Sequence, residues 1–124
     1  MRLLLDTHVF LWSVSDSRQL TAVARAYVAS AQTVYVSAAS IWEIASKSQL
    51  GKIDGDPDEL VAAIRASGFQ ELPVSAAHAA AVAKLPQHHR DPFDRLLVAQ
   101  ALTEQAPIVS ADAQLDAYGG NRIW

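Results

Sequence analysis

The sequence predicts an α/β fold: a three-layer α/β/α sandwich around a central parallel sheet of four to five strands. Three observations predict it. The chain opens on Met1-Arg2-Leu3-Leu4-Leu5, an apolar run without period-2 alternation, which suits a strand covered on both faces. Downstream, short β-prone runs alternate with helical stretches, the pattern of a parallel sheet with right-handed crossovers. The length of 124 residues reads as one domain over residues 1–124. A chain of that size buries roughly two-thirds of its unfolded surface, enough for a core without covalent staples.

Each element follows from local chemistry. Val9 to Val14 carries Phe10, Leu11 and Trp12, enough for one or two apolar helical turns before Ser15 to Ser17 breaks them. Thr21 caps a helix over Ala22 to Ala31, where Val23, Tyr27, Val28 and Ala31 recur at helical spacing. Thr33 to Ser37 is the second strand. Ser40-Ile41-Trp42-Glu43 opens the next helix, with Ser40 and Glu43 spaced as a capping box and Gly51 placed to end it. Asp56 caps a further helix with Pro57 at its first position and acids on the positive end of its dipole, and Gly68 closes it. Phe69 to Pro73 is the third strand, and Ser75 caps an alanine-rich helix from Ala76 to Leu85 that contains His78. Pro86 to Arg90 is a polar loop, after which Asp91-Pro92 starts the most strongly marked helix, running to about Gln105. Pro107 to Ser110 is the fourth strand, Asp112 caps a short helix to Tyr118, and Arg122 to Trp124 forms an edge strand. No repeat, linker or low-complexity segment interrupts this order.

Composition narrows the function. There is no cysteine, which excludes disulfides and thiolate metal sites and fits a reducing cytosol. The apolar fraction is 51%, yet Asp6 interrupts the opening run, leaving neither a signal-peptide core nor a membrane span; the expectation is a soluble cytoplasmic protein with no membrane partner. A net charge of -3 argues against coating nucleic acid by bulk positive charge, so any phosphate binding must be local. Carboxylates holding divalent cations could invert the sign of one cleft while the molecule stays acidic.

Four acids occupy one kind of place. Asp6 ends the first strand, Glu43 follows the second, Asp94 lies in the first turn of its helix, and Asp112 follows the fourth strand. In open α/β sheets ligands bind at the carboxyl ends of the strands, so all four should face one crevice. Taken singly, each but Asp6 has a plainer explanation as a cap or a dipole partner. Taken together they repel, by about 1 kcal/mol per close pair in water and severalfold more near a protein surface. A compensating hard cation such as Mg²⁺ or Mn²⁺, held by oxygen ligands and completed by substrate phosphate, would lead to phosphodiester hydrolysis. Phosphatases and metal-dependent receiver domains stay open on this spacing alone.

At these residues the chain resembles a PIN-domain ribonuclease, specifically the VapC-type toxin of type II toxin-antitoxin pairs. The resemblance is carried by Leu3-Leu4-Leu5-Asp6-Thr7-His8, by Ser40-Ile41-Trp42-Glu43-Ile44 with Leu50-Gly51-Lys52, and by Ile108-Val109-Ser110-Ala111-Asp112. Its most specific part is His89-Arg90-Asp91-Pro92-Phe93-Asp94-Arg95-Leu96-Leu97-Val98-Ala99-Gln100-Ala101, and it covers essentially the whole chain. It implies a PIN-like fold in which Asp6, Glu43, Asp94 and Asp112 hold one or two Mg²⁺ or Mn²⁺ ions and act as the catalytic set. Thr7 and Ser110 would support those ligands, Ser110 because the family commonly has Thr or Ser two residues before its fourth acid; Asp91, three residues before Asp94, either supports the site as a further acid or serves as the N-cap before Pro92, the commoner role. The resemblance also implies an RNA substrate, a cognate VapB-type antitoxin that blocks the cleft, a homodimer, and contact with DNA only through the antitoxin.

Other residues have two readings. Arg90, Arg95 and His8 could contact RNA phosphates or a base, as could His88 and His89, against the commoner structural roles. Lys47 and Lys52 read as solvated, and Trp42 reads as core. Val9, Phe10, Trp12 and the alanine-rich helix are interface candidates, although apolar residues at helical spacing are more often core. The rival function is a catalytically silent module that acts by binding an antitoxin and operator DNA. A haloacid-dehalogenase phosphatase is disfavoured because its Asp-x-Asp is absent, the third position being His8, and a receiver domain because no paired acids follow the first strand.

Overall fold

The computed structural model describes residues 1–87 and 91–124. Strand β1 (Arg2–Leu5) lies at the centre of a five-stranded sheet of order β3-β2-β1-β4-β5, with β2 (Thr33–Ser37), β3 (Gln70–Leu72), β4 (Ile108–Val109) and β5 (Arg122–Ile123). Every pairing is parallel, and β1 registers Leu3 on Val34, Leu5 on Val36 and Leu5 on Val109. All carboxyl ends therefore share one edge.

The opening apolar run is explained by the two faces it serves. Successive strand side chains point to opposite faces. Leu3 and Leu5 join Val9, Phe10, Ile44, Leu60 and Ile64 in one core layer, while Leu4 joins Leu97, Val98, Ala101, Leu115 and Tyr118 in the other. The first layer is covered by helices α1 (Thr7–Val14), α2 (Ala22–Ser30), α3 (Ala38–Gln49) and α4 (Pro57–Ala66). The second is covered by α6 (Pro92–Glu104), against which α5 (Ala76–Ala81) packs. The predicted three-layer architecture is the observed one. Among the described residues, no helix is long and apolar enough to cross a membrane.

Caps set most helix starts where the sequence placed them: Thr21 accepts from Ala24 N–H, Asp56 from Asp58 N–H, and Asp91 from both Phe93 and Asp94 N–H. The alanine-rich helix is shorter than expected. It is α-helical only to Ala81 and continues as a 3₁₀ turn over Val82–Lys84, and its third residue, His78, reciprocates the Ser75 cap through Nδ1. Asp112 caps the short helix expected to Tyr118, which is 3₁₀ (Ala113–Tyr118).

Two further expectations are corrected. The helix carrying Glu43 starts two residues before Ser40, because the Ser37 hydroxyl at the end of β2 already accepts from Ala39 N–H and caps it. The Ser40–Glu43 capping box therefore does not form, and both side chains are buried inside α3. Val9 and Phe10 are fully buried under β1, which removes them as interface candidates.

Candidate functional site

The site is built at the carboxyl edge of the sheet by the segments that leave it. Asp6 follows β1, where its N–H donates to Val109 O and its carboxylate accepts from Val9 N–H to cap α1. Burial pushes the Asp6 carboxyl above its ordinary range; the Ser110 hydroxyl, the Val9 N–H and His8 oppose the rise, and the neighbouring Glu43 charge adds to it. A half-buried carboxylate beside a second acid has a strong demand for positive charge.

Glu43 lies behind it on α3, 3% exposed. Its Oε1 is 2.5 Å from the Thr7 hydroxyl, which is also 3.0 Å from Ser40 Oγ. A threonine has one proton to give, and the short contact assigns it to the carboxylate. Oε2 accepts from Lys47, one turn further along the helix, at 2.5 Å. The Lys47 ammonium also stands 3.7 Å from Asp91 Oδ2 and within the field of Asp94. Burial works to lower the Lys47 pKa, but the hydrogen bond and charge of Glu43, with the charges of Asp91 and Asp94, outweigh it and raise the pKa. Lys47, expected to be solvated, is thus the cation that α3 presents to α6. Its i,i+4 spacing from Glu43 was the available signal.

Across β1, the Ser110 hydroxyl links Asp6 to the next segment, accepting from Asp112 N–H at 3.0 Å. Asp112 Oδ1 accepts from Gln114 N–H, so part of its role is the cap. Arg122 donates to Ser110 O at 2.9 Å and pairs with Asp116, fixing this corner from outside. A line of hydrogen bonds, ion pairs and charge interactions thus runs from Asp94 and Asp91 through Lys47 and Glu43 to Asp6, Ser110 and Asp112. Among the described residues, no three His, Asp or Glu side chains form a ready-made ion cage. The donors nonetheless suit Mg²⁺ or Mn²⁺ in kind: all are carboxylate oxygens, and the cluster has already drawn in one ammonium.

The remaining candidates divide. His8 is exposed at the rim, its ring 6.0 Å from that of Trp12. Arg95 is 8% exposed and donates to Pro86 O and Val82 O, holding the segment before α6 rather than facing solvent. His88, His89 and Arg90 lie outside the described residues. Trp42, expected in the core, is 58% exposed and meets Phe93 edge-on at 4.7 Å, tying α3 to α6.

A buried polar strut beneath the site has no signature in residue spacing. Gln100, fully buried on α6, accepts from the Ser37 hydroxyl that caps α3, and its amide nitrogen donates to Pro73 O and lies 3.3 Å from His78 Nδ1. His78 Nε2 in turn meets Glu104 at 2.9 Å. This strut sets the spacing of the helices that carry Glu43 and Asp94. A Gln100→Leu protein is expected to lose about 1–3 kcal/mol in urea denaturation, because Ser37 and His78 lose their buried partner. An unchanged midpoint would show the strut to be dispensable.

A PIN domain family profile matches residues 3–121, and the chain belongs to the PIN domain family. Several solved structures share the fold, among them these three. VapBC2 from Rickettsia felis, bound to a promoter DNA fragment, aligns with a TM-score of 0.73 at 13% identity, covering 100% of each chain. DNA-bound VapBC from Salmonella typhimurium gives 0.70 at 12%, covering 98% of this chain and 96% of that one. FitAcB from Neisseria gonorrhoeae gives 0.65 at 19%, again covering 98% and 96%. Among curated proteins none matches the chain.

Proposed function

We propose that this chain is a metal-dependent endoribonuclease, the toxin of a VapBC-type toxin-antitoxin pair, with Asp6, Glu43, Asp94 and Asp112 as its metal-holding set. The observation that carries the reading is the acidic line along the carboxyl edge of the sheet in a PIN domain. Bound there, one or two Mg²⁺ or Mn²⁺ ions would lower the pKa of a water and polarise the scissile phosphoryl oxygen. Asp6 offers the half-buried carboxylate at the centre, steadied by Val9 N–H and Ser110. The Thr7 hydroxyl donates to Glu43 and fixes its rotamer, and Asp91 supports Asp94 by accepting its N–H. No side-chain nucleophile is required.

The like-folded VapBC and FitAcB chains support a VapB-type antitoxin as partner, with operator DNA reached through it, and we extend the proposal to a cytoplasmic homodimer. The test is cleavage of RNA by purified protein with Mg²⁺ or Mn²⁺, with EDTA, and with the Asp6→Asn variant. EDTA should abolish cleavage and Asp6→Asn should lower it by orders of magnitude. Cleavage near the wild-type rate under either intervention defeats the assignment, and Mn²⁺ binding with no cleavage of any RNA would favour a silent antitoxin-binding module.

A further inference from the structure

We propose that Lys47 is a built-in counter-cation of the acidic site, holding Glu43, Asp91 and Asp94 in the metal-free protein and giving way to the divalent ion when it binds. The inference rests on the metal-holding role proposed above for Glu43 and Asp94. Lys47 Nζ is 2.5 Å from Glu43 Oε2 and 3.7 Å from Asp91 Oδ2, while the other Glu43 oxygen faces Thr7. The ammonium therefore occupies the oxygen through which Glu43 would reach an ion. A divalent cation takes carboxylate oxygens at about 2.0–2.1 Å, a distance that brings it into strong repulsion with an ammonium on the same oxygen.

The surroundings allow Lys47 to withdraw. Its side chain is 27% exposed, so a path to solvent is open, whereas Glu43 at 4% is fixed within the fold. The Phe93 ring, 5.7 Å from Nζ, offers a cation–π resting place off the carboxylate. A flexible four-carbon stem carrying a compact charge suits this exchange better than a rigid guanidinium fork. The consequence is a site whose acids are neutralised and ordered without metal, at the expense of metal affinity.

The experiment is a calorimetric Mn²⁺ titration of chelator-stripped wild type, Lys47→Met and Lys47→Arg, with thermal unfolding of each in EDTA and in Mn²⁺. Lys47→Met is expected to bind Mn²⁺ on the order of tenfold more tightly than wild type. It should melt below wild type in EDTA and gain more from Mn²⁺. Lys47→Arg keeps the charge and should show no such tightening. If Lys47→Met does not fold, Lys47→Gln decides in its place. Equal or weaker Mn²⁺ binding by the neutral variant, with wild type binding measurably, overturns the counter-cation role alone. Folded wild type and folded neutral variant that both fail to bind Mn²⁺ overturn the metal-site reading itself, and this inference with it.

Discussion

Asp6→Asn is expected to reduce RNA cleavage by about 10²–10³-fold, the scale of losing one charge-stabilising group at a reacting centre. The same protein should be at least as stable as wild type when metal is removed. Asparagine keeps the oxygen that accepts from Val9 N–H, so the α1 cap survives. What disappears is a charge that burial and Glu43 both disfavour, as the raised Asp6 pKa records. The pH dependence has a definite sign. The folded protein holds this proton more tightly than the unfolded chain, where the group titrates near 3.8. The penalty is therefore absent below that value, grows as pH rises through the raised folded pKa, and is fully present above it. Melting curves in EDTA across this window should show the variant pulling ahead of wild type as pH rises. Loss of cleavage together with loss of the fold would make Asp6 a structural residue and remove it from the chemistry.

Arg95→Ala should cost about 2–4 kcal/mol, enough to lower the melting temperature by roughly 10 °C or more. Its guanidinium donates to Pro86 O and Val82 O from a position 8% exposed, so alanine takes a donor from both carbonyls, Val82 O keeping only Leu85 N–H, and removes the packing of the stem. Lysine would restore only part of the loss, because a single ammonium does not reproduce a fork spanning two carbonyls. Urea denaturation reads the stability, and RNA affinity of the folded fraction reads the alternative. An unchanged midpoint with weakened RNA binding would return Arg95 to the substrate.

These two residues mark the limit of what the chain discloses in one dimension. Both were candidates by position, Asp6 at the end of a strand and Arg95 beside Asp94 in the most specific motif. Exposure and direction separate them, and neither is a property of sequence spacing. The same holds for Lys47, whose spacing from Glu43 was visible while the approach of Asp91 and Asp94 from another helix was not. It holds also for Ser37 and Ser40, where a one-turn choice of cap decided whether Glu43 caps its own helix or meets Thr7.

The amino-acid sequence by itself determined the alternation of strands and helices, the central place of Leu3 to Leu5, most of the capped helix starts, and the PIN-type pattern of acids. Those features follow from local periodicity, capping chemistry and chain order, which act over a few residues. Only the tertiary structure decided that Gln100 braces the two acid-bearing helices, that Arg95 turns inward, that Trp42 lies open, and that a lysine sits among the carboxylates. Each depends on groups far apart along the chain being brought within hydrogen-bonding or Coulombic range, and that proximity exists only once the two core layers have closed on the sheet.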